Sequence, residues 1–130
     1  MINYEDYSKV EIKIGEIKSA EKVDKSDKLL LLSVDFGVKP SAKADNSPEN
    51  SDSPNDPEEE RDIRTVVSGI ATYFEDPKVL VGIQCAFVTN LEPRSLMGFE
   101  SQAMILGSKT DEGFALLKPS STVLPGSIVG

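Results

Sequence analysis

Apolar and charged residues alternate near the start of the chain. Ile12 and Ile14 lie among charged residues at every other position from 9 to 13, the two-residue period of a strand with one buried face. Gly15 interrupts this period, and Ile17 continues on the apolar side, which predicts a bulge or bend within one long strand. A small five-stranded barrel needs its first strand to curl in this way.

Four further segments have the length and apolar content of strands. They are residues 29–36, 63–67, 83–89 and 102–106. Between the third and fourth strands, residues 70–74 and 76–80 predict short helical pieces, because Pro77 suits the first position of a helix capped by Asp76. A further apolar segment, residues 113–117, follows the last strand. The pattern therefore predicts an all-β, five-stranded barrel with a short helix between strands 3 and 4 and a C-terminal extension.

Residues 40–62 differ in composition from the rest of the chain. The segment contains four prolines and no large apolar side chain, so it lacks the apolar surface that would offset the entropy cost of ordering it. Its eight acidic and two basic residues give it a charge of −6, out of −8 for the whole 130-residue chain. We therefore expect one domain, residues 1–130, interrupted between strands 2 and 3 by a disordered acidic insertion at 40–62.

The composition argues against catalysis and metal binding. The chain has no histidine, the usual general base at neutral pH and the commonest zinc ligand. Ser68 and Ser101 therefore have no imidazole to activate them, and the single Cys85 lies in an apolar run that predicts a small buried side chain. We expect no catalytic residue, cofactor or metal site. No apolar run reaches membrane-spanning length and no signal peptide is evident, so we expect a cytoplasmic protein.

Residues 90–106 connect two predicted strands through a polar loop with an unusual set of side chains. The loop has the amide of Asn90, the guanidinium of Arg94, the thioether of Met97 and the hydroxyl of Ser101. Arginine has a planar fork of donors suited to phosphates and base edges, and methionine has a soft apolar surface. The loop therefore favours a binding surface for a nucleic acid or a partner side chain.

Three segments together resemble the tRNA-binding domain family. They are residues 26–30, 64–71 and 90–106. That family includes the C-terminal domain of methionyl-tRNA synthetases, free-standing tRNA-binding proteins and the CsaA chaperones. The resemblance extends from about Tyr7 to Val129, with the synthetase domain as the best match, and it implies a non-catalytic OB-fold that binds tRNA by shape. It also implies a homodimer and, as a possible partner, a synthetase catalytic domain.

The resemblance also implies which residues contact tRNA. They are Lys28, Arg64, Ser68, Asn90, Arg94, Met97 and Ser101. In OB-folds, oligonucleotides bind to the face of strands 2 and 3 and to the loops between strands 1 and 2 and strands 4 and 5. This chain has Glu92 and Ser95 where the family commonly has lysines. Because each lost phosphate contact weakens binding, we expect either a low affinity for tRNA or a site that has moved to another partner.

Two other functions stay open for the same fold. A CsaA-like chaperone would bind unfolded or exported polypeptides, and a purely structural module would only dimerise. The apolar tail, residues 123–129, has no obvious partner within a five-stranded barrel, so we expect it to pair two copies of the chain. The acidic insertion is either inert or a decoy that competes with phosphates for Lys28 and Arg94.

Overall fold

The computed structural model describes residues 1–24, 26–38 and 61–130, and this part of the chain consists mainly of β-strands. Its strands are β1 (Ile12–Lys22), β2 (Leu30–Val38), β3 (Arg61–Ser68), β4 (Gln84–Val88), β5 (Arg94–Leu96), β6 (Phe99–Ser101), β7 (Met104–Ile105), β8 (Gly107–Thr110), β9 (Gly113–Leu116) and β10 (Ile128–Val129). The helix α1 (Tyr4–Ser8) precedes them, and two 3₁₀ helices, Ala71–Tyr73 and Pro77–Leu80, separate β3 from β4. None of the helices in the described ranges is long and apolar enough to cross a bilayer.

The main sheet is antiparallel and curls towards closure. Its strand order is β3-β2-β1-β4-β7, and β10 pairs with β1. The segment between β6 and β7 returns to the edge of β3, where the Gln102 N–H donates to the carbonyl oxygen of Thr65 (2.8 Å). The Gln102 side chain accepts from the Thr65 N–H in return (2.9 Å). The predicted all-β, OB-like fold is therefore confirmed.

Gly15, within β1, has no room for a side chain. A Cβ on Gly15 would lie 2.5 Å from Val34 Cγ1 and 2.7 Å from Phe36 Cε1. The register between β1 and β2 shifts between Ile17 and Ser19. The predicted irregularity is thus present, although the bulge comes after Gly15, which serves close packing against β2.

The core lies between the curled sheet and the 3₁₀ helices. Its largest fully buried side chains include Phe87, Ile17 and Leu80. Phe87 packs edge-on against Phe36, with ring centroids 5.2 Å apart. Cys85 is fully buried, and burial raises the pKa of its thiol to about 11. The structure therefore confirms the prediction that Cys85 is a small core residue.

The connection between β3 and β4 follows the predicted capping chemistry. The Asp76 carboxylate accepts from the Lys78 N–H (3.1 Å), and Pro77 occupies the first turn. Phe74 and Asp76 have extended backbone angles, so the segment forms two short 3₁₀ turns instead of one continuous helix.

Two predicted boundaries change. Arg61 and Asp62, the last residues assigned to the acidic insertion, belong to β3, because Arg61 donates to the buried Asp35 carboxylate (3.0 Å). Residues 40–60 of the predicted insertion lie outside the described residues. The fifth predicted strand, 102–106, is reduced to β7, because the backbone of Gln102 bonds to β3 instead of β4.

The C-terminal tail finds backbone partners within the chain. Ile12 of β1 pairs with Val129, and the Gly126 N–H donates to the Ile14 carbonyl oxygen (2.6 Å). The expectation that the tail lacks a partner in the barrel is therefore wrong for its backbone. Its side chains still face outwards, because Leu124 is 81% and Ile128 69% exposed.

The strand ends on either side of residues 39–60 are directly paired, Val38 opposite Arg61. Replacing residues 39–60 with Asn-Gly, a favoured two-residue hairpin turn, is therefore expected to leave the melting temperature within a few degrees of the parent protein. Circular dichroism measures this, and a large loss of stability would contradict the pairing. Binding of tRNA at low salt then separates the two roles of the segment, because removing a decoy tightens binding and removing an inert insertion does not.

Candidate nucleic-acid interface

The segment predicted as a binding loop contains a tight β-hairpin. Leu96 of β5 pairs with Phe99 of β6, so Met97 and Gly98 form a two-residue turn. Their φ angles are +50° and +87°, which are typical of a type I′ turn, where asparagine and glycine are the preferred residues. Among the described residues other than glycine, Met97 alone has a positive φ. Strained residues of this kind cluster at functional sites, and the turn projects a half-exposed methionine.

One face of this hairpin covers a cleft with a volume of about 150 Å³. The pairs Arg94–Ser101 and Leu96–Phe99 share this face, because directly opposed residues and alternate residues point to the same side of a strand pair. The apolar side chains that line the cleft are Val67, Leu91, Leu96, Ala103, Met104 and Ile105, and the polar ones are Ser68, Glu92, Arg94 and Ser101. We call this depression the hairpin cleft. It offers an apolar floor with polar groups at its rim.

Ser101 supports the cleft from within. It is 8% exposed, and its hydroxyl accepts from the Val67 N–H (2.9 Å) and donates to the Ala103 carbonyl oxygen (3.1 Å). The single donor of the hydroxyl and one of its acceptor sites are therefore used to hold the hairpin against β3. The structure gives Ser101 a positioning role, because its hydroxyl is buried and its proton is donated within the protein.

Arg64 is also engaged inside the protein. Its Nε and Nη2 donate to the two carboxylate oxygens of Asp62, each at 3.0 Å. Its Nη1 donates to the Thr89 carbonyl oxygen (2.6 Å), and the guanidinium lies 5.3 Å from the centre of the Phe36 ring. Such a bidentate and stacked arginine links β3 to the end of β4. Its Nε, Nη1 and Nη2 donors are therefore engaged within the protein.

Asn90 fixes the start of the loop. Its side-chain oxygen accepts from the Glu11 N–H (2.9 Å), and its side-chain nitrogen donates to the Lys9 carbonyl oxygen (2.6 Å). The amide thus connects the end of β4 to the segment entering β1, so its role in the described structure is to position the loop.

The other predicted contact residues have accessible side chains. Arg94 and Met97 are exposed, and Ser68 is half-buried at the cleft. The side chain of Lys28 is exposed, and its backbone is held on both sides. Its carbonyl oxygen accepts from the Ala71 N–H (3.0 Å), and its N–H donates to the Ser26 hydroxyl (3.2 Å). Because Ser68 pairs with Leu30, Lys28 approaches the same end of β3. The accessible set therefore consists of Lys28, Ser68, Arg94 and Met97.

The model of the tRNA binding domain family matches residues 56–128, more than half of the chain. The chain belongs to the tRNA-binding domain family. The match includes β3, the hairpin cleft and the first residue of β10, so it covers every element that forms the accessible set except the segment around Lys28.

Similar sequences form part of much larger proteins. This tRNA-binding domain is 38% identical over 128 residues to the methionine–tRNA ligase of Helicobacter pylori strain J99 and 35% identical over 129 residues to that of Bacteroides fragilis strain ATCC 25285. In each case the alignment covers 98% of this chain and 16% of the ligase. The chain therefore spans about one sixth of the length of these relatives.

Solved structures agree with the fold over the whole chain. The crystal structure of a MetRS-related protein from Pyrococcus horikoshii has a TM-score of 0.76 and 30% identity, covering 100% of this chain and 98% of that one. The chaperone CsaA from Bacillus anthracis str. Ames has a TM-score of 0.73 and 23% identity, covering 100% and 99%. At that lower identity the likeness to CsaA establishes the fold alone.

Sequence reasoning missed part of the apolar lining of this tRNA-binding domain. Leu91 and Met104 are 50% and 47% exposed at the hairpin cleft, and Phe99 is 37% exposed beside it. Phe99 follows the Met97-Gly98 turn directly, so an aromatic residue next to a hairpin turn was the available signal. Leu91 and Met104 had no such signal, because their exposure depends on how β7 and the loop meet.

Proposed function

We propose that this domain is a non-catalytic module that binds tRNA across the hairpin cleft. The exposed guanidinium of Arg94 supports this most directly. It has no ion-pair or hydrogen-bond partner among residues 1–24, 26–38 and 61–130, and it stands at the rim of an apolar depression. An arginine of this kind suits a phosphate, while the apolar floor suits an unstacked base.

The methionine–tRNA ligases among the relatives support a role beside such an enzyme. A domain that adds RNA surface raises the effective concentration of tRNA near a catalytic domain, whether attached to it or assembled with it. We therefore propose that the domain serves a methionyl-tRNA synthetase in the cytoplasm. A reduced compartment is compatible with the buried free thiol of Cys85.

A homodimer is part of the proposal. The exposed apolar side chains of Leu124 and Ile128 lie at one end of the chain, and those of Val10 and Tyr7 lie near the other. The pairing of β1 with β10 brings these two ends together, because Ile12, two residues after Val10, pairs with Val129. Exposed apolar side chains grouped at one edge of a sheet in this way are typical of a protein–protein interface.

Arg94→Ala is expected to weaken tRNA binding by about 1–3 kcal/mol and to leave the melting temperature unchanged, because the side chain is exposed. Fluorescence anisotropy with total tRNA, repeated at several salt concentrations, measures the loss and a flatter salt dependence. The matched control is Lys109→Ala, which removes one exposed positive charge from β8, away from the hairpin cleft. Equal losses in both variants, or none in Arg94→Ala, would remove the cleft from the proposal. An unfolded polypeptide titrated in parallel tests the chaperone alternative.

Met97→Asn is expected to change stability and RNA binding in opposite directions. Asparagine tolerates the positive φ of position 97 better than methionine, so the hairpin should gain about 0.5–1 kcal/mol of folding stability. The loss of the thioether removes apolar contact area and should weaken tRNA binding several-fold. Thermal unfolding and anisotropy measure the two effects. If folding stability and tRNA affinity both rise or both fall, turn strain and binding are unrelated at this position.

A further inference from the structure

Three hydroxyl groups form a row across the outer face of the sheet. Ser19 of β1 pairs with Ser33 of β2, and Ser33 pairs with Thr65 of β3. Directly paired residues point to the same face of a sheet, so the three hydroxyls stand side by side. Within the described ranges, none of these hydroxyls forms a hydrogen bond with another residue. They are therefore available to a ligand.

The row forms part of a depression distinct from the hairpin cleft. Its volume is about 320 Å³, and the residues that line it are Ser19, Glu21, Leu31, Leu32, Ser33, Thr65 and Phe99. We call it the hydroxyl groove. Phe99 also lines a neighbouring depression with Val23, Asp24 and Met97, so its 37% exposed ring stands between two open spaces. An aromatic ring in this setting is a stacking platform for a flat ligand.

The single charged residue lining the hydroxyl groove is Glu21. Its side chain is exposed and makes no ion pair with a described residue. A carboxylate only accepts hydrogen bonds, and it repels phosphate. The ligand suited to this groove therefore has a flat apolar face and an edge with N–H donors, and its phosphates lie elsewhere.

Among the RNA bases, guanine fits these requirements best. Its Watson–Crick edge presents two adjacent donors, the N1–H and the N2 amino group, which match the two oxygens of one carboxylate. Adenine and cytosine present an acceptor beside their amino group, and uracil presents a single donor between two acceptors. Proteins that recognise single-stranded RNA combine aromatic stacking with hydrogen bonds to this edge.

We propose that the hydroxyl groove is a subsite for an unpaired guanine, stacked on Phe99 and hydrogen-bonded through its Watson–Crick edge to Glu21. Ser19, Ser33 and Thr65 hydrogen-bond the remaining polar atoms of the base or the ribose. This inference rests on the proposed tRNA binding and adds base preference to it. Arg94, on the same face of the hairpin as Phe99 but in the hairpin cleft, supplies the phosphate contact.

Short oligoribonucleotides test the subsite without a folded tRNA. The probes are fluorescently labelled hexauridylates with guanosine, inosine or adenosine at the third position, titrated at low salt. The guanosine probe is expected to bind about tenfold more tightly than the adenosine probe. Inosine, which lacks the N2 amino group, should fall between them.

Two variants assign the preference to residues. Glu21→Gln is expected to abolish the difference between guanosine and adenosine, since an amide presents one acceptor and one donor group. Its matched control is Glu100→Gln, which makes the same charge change on β6, where Glu100 pairs with Ser95 on the side of the hairpin away from Arg94 and Phe99. Phe99→Leu, which keeps an apolar side chain for folding, should weaken the guanosine and adenosine probes several-fold each.

The outcomes separate the subsite from the proposed function. Equal binding of the guanosine and adenosine probes by the parent protein, or a preference that survives Glu21→Gln, overturns the subsite even if tRNA still binds. A guanosine preference without binding of tRNA keeps the subsite and overturns the proposed function. A basic, leucine-rich peptide that binds better than every probe and loses affinity in Glu21→Gln overturns the subsite in favour of a peptide groove.

Discussion

Replacing Arg64 with alanine is expected to lower the free energy of unfolding by about 2–4 kcal/mol. The change leaves the Asp62 carboxylate and the Thr89 carbonyl oxygen without their charged donor and removes the guanidinium from the Phe36 ring. The Arg64 side chain is 22% exposed and that of Asp62 is 19% exposed, so solvent replaces only part of what is lost. For a domain of this size the melting temperature should fall by roughly 10–25 °C.

The comparison with Arg94→Ala distinguishes a structural arginine from a binding one. Chemical denaturation gives the stability of each variant, and anisotropy at a temperature where both are folded gives the affinity for tRNA. Arg64→Ala should lose stability and keep most of its affinity, whereas Arg94→Ala should do the reverse. A large loss of affinity in folded Arg64→Ala, without a loss of stability, would return Arg64 to the set of direct contacts.

The two arginines also show where sequence reasoning about the site ends. Both lie in segments that match the family, and residue type does not separate them. The difference comes from their partners, because Arg64 has Asp62 two positions earlier on the same strand face. The acidic composition of the insertion extends to Asp62 and masks its position beside Arg64 on a strand.

The fold was more predictable than the site because its signals are local. The apolar alternation in β1 and the Asp76-Pro77 cap act within a few residues. Closure of the sheet depends instead on contacts such as Gln102 with Thr65, which are 37 positions apart. The same contact shortens the fifth strand and sets the position of Ser101. Residue pattern alone contains no information about such a distant pairing, so the roles of Asn90 and Ser101 emerged only from the structure.

Gly126→Ala is expected to destabilise the domain by about 4 kcal/mol or more. Gly126 has a φ of +92°, and a Cβ there would collide with the carbonyl oxygen of Phe36. Gly37, on the opposite side of the contact, has the same φ, and its Cβ would collide with the carbonyl oxygen of Pro125. Two backbone segments thus touch where neither tolerates a side chain, and the substitution must push the C-terminal turn away from β2.

Gly82→Ala is the matched control for this substitution. Gly82 has a φ of +89°, but a Cβ there would meet nothing within 4 Å, so only the backbone strain of about 1–3 kcal/mol applies. The excess loss in Gly126→Ala therefore measures the contact between the C-terminal turn and β2. If chemical denaturation gives the same loss of unfolding free energy for Gly126→Ala and Gly82→Ala, this contact contributes nothing to stability.

The same two variants test the proposed dimer. Displacing the turn also displaces β10, because the Gly126 N–H and the Ser127 carbonyl oxygen both bond to Ile14. Light scattering of the parent protein and Gly82→Ala should give about twice the 14.1 kDa mass of one chain, and Gly126→Ala should shift towards a single chain at temperatures where it remains folded. A parent protein with the mass of one chain would rule out the homodimer, and a dimeric, folded Gly126→Ala would place the interface away from β10.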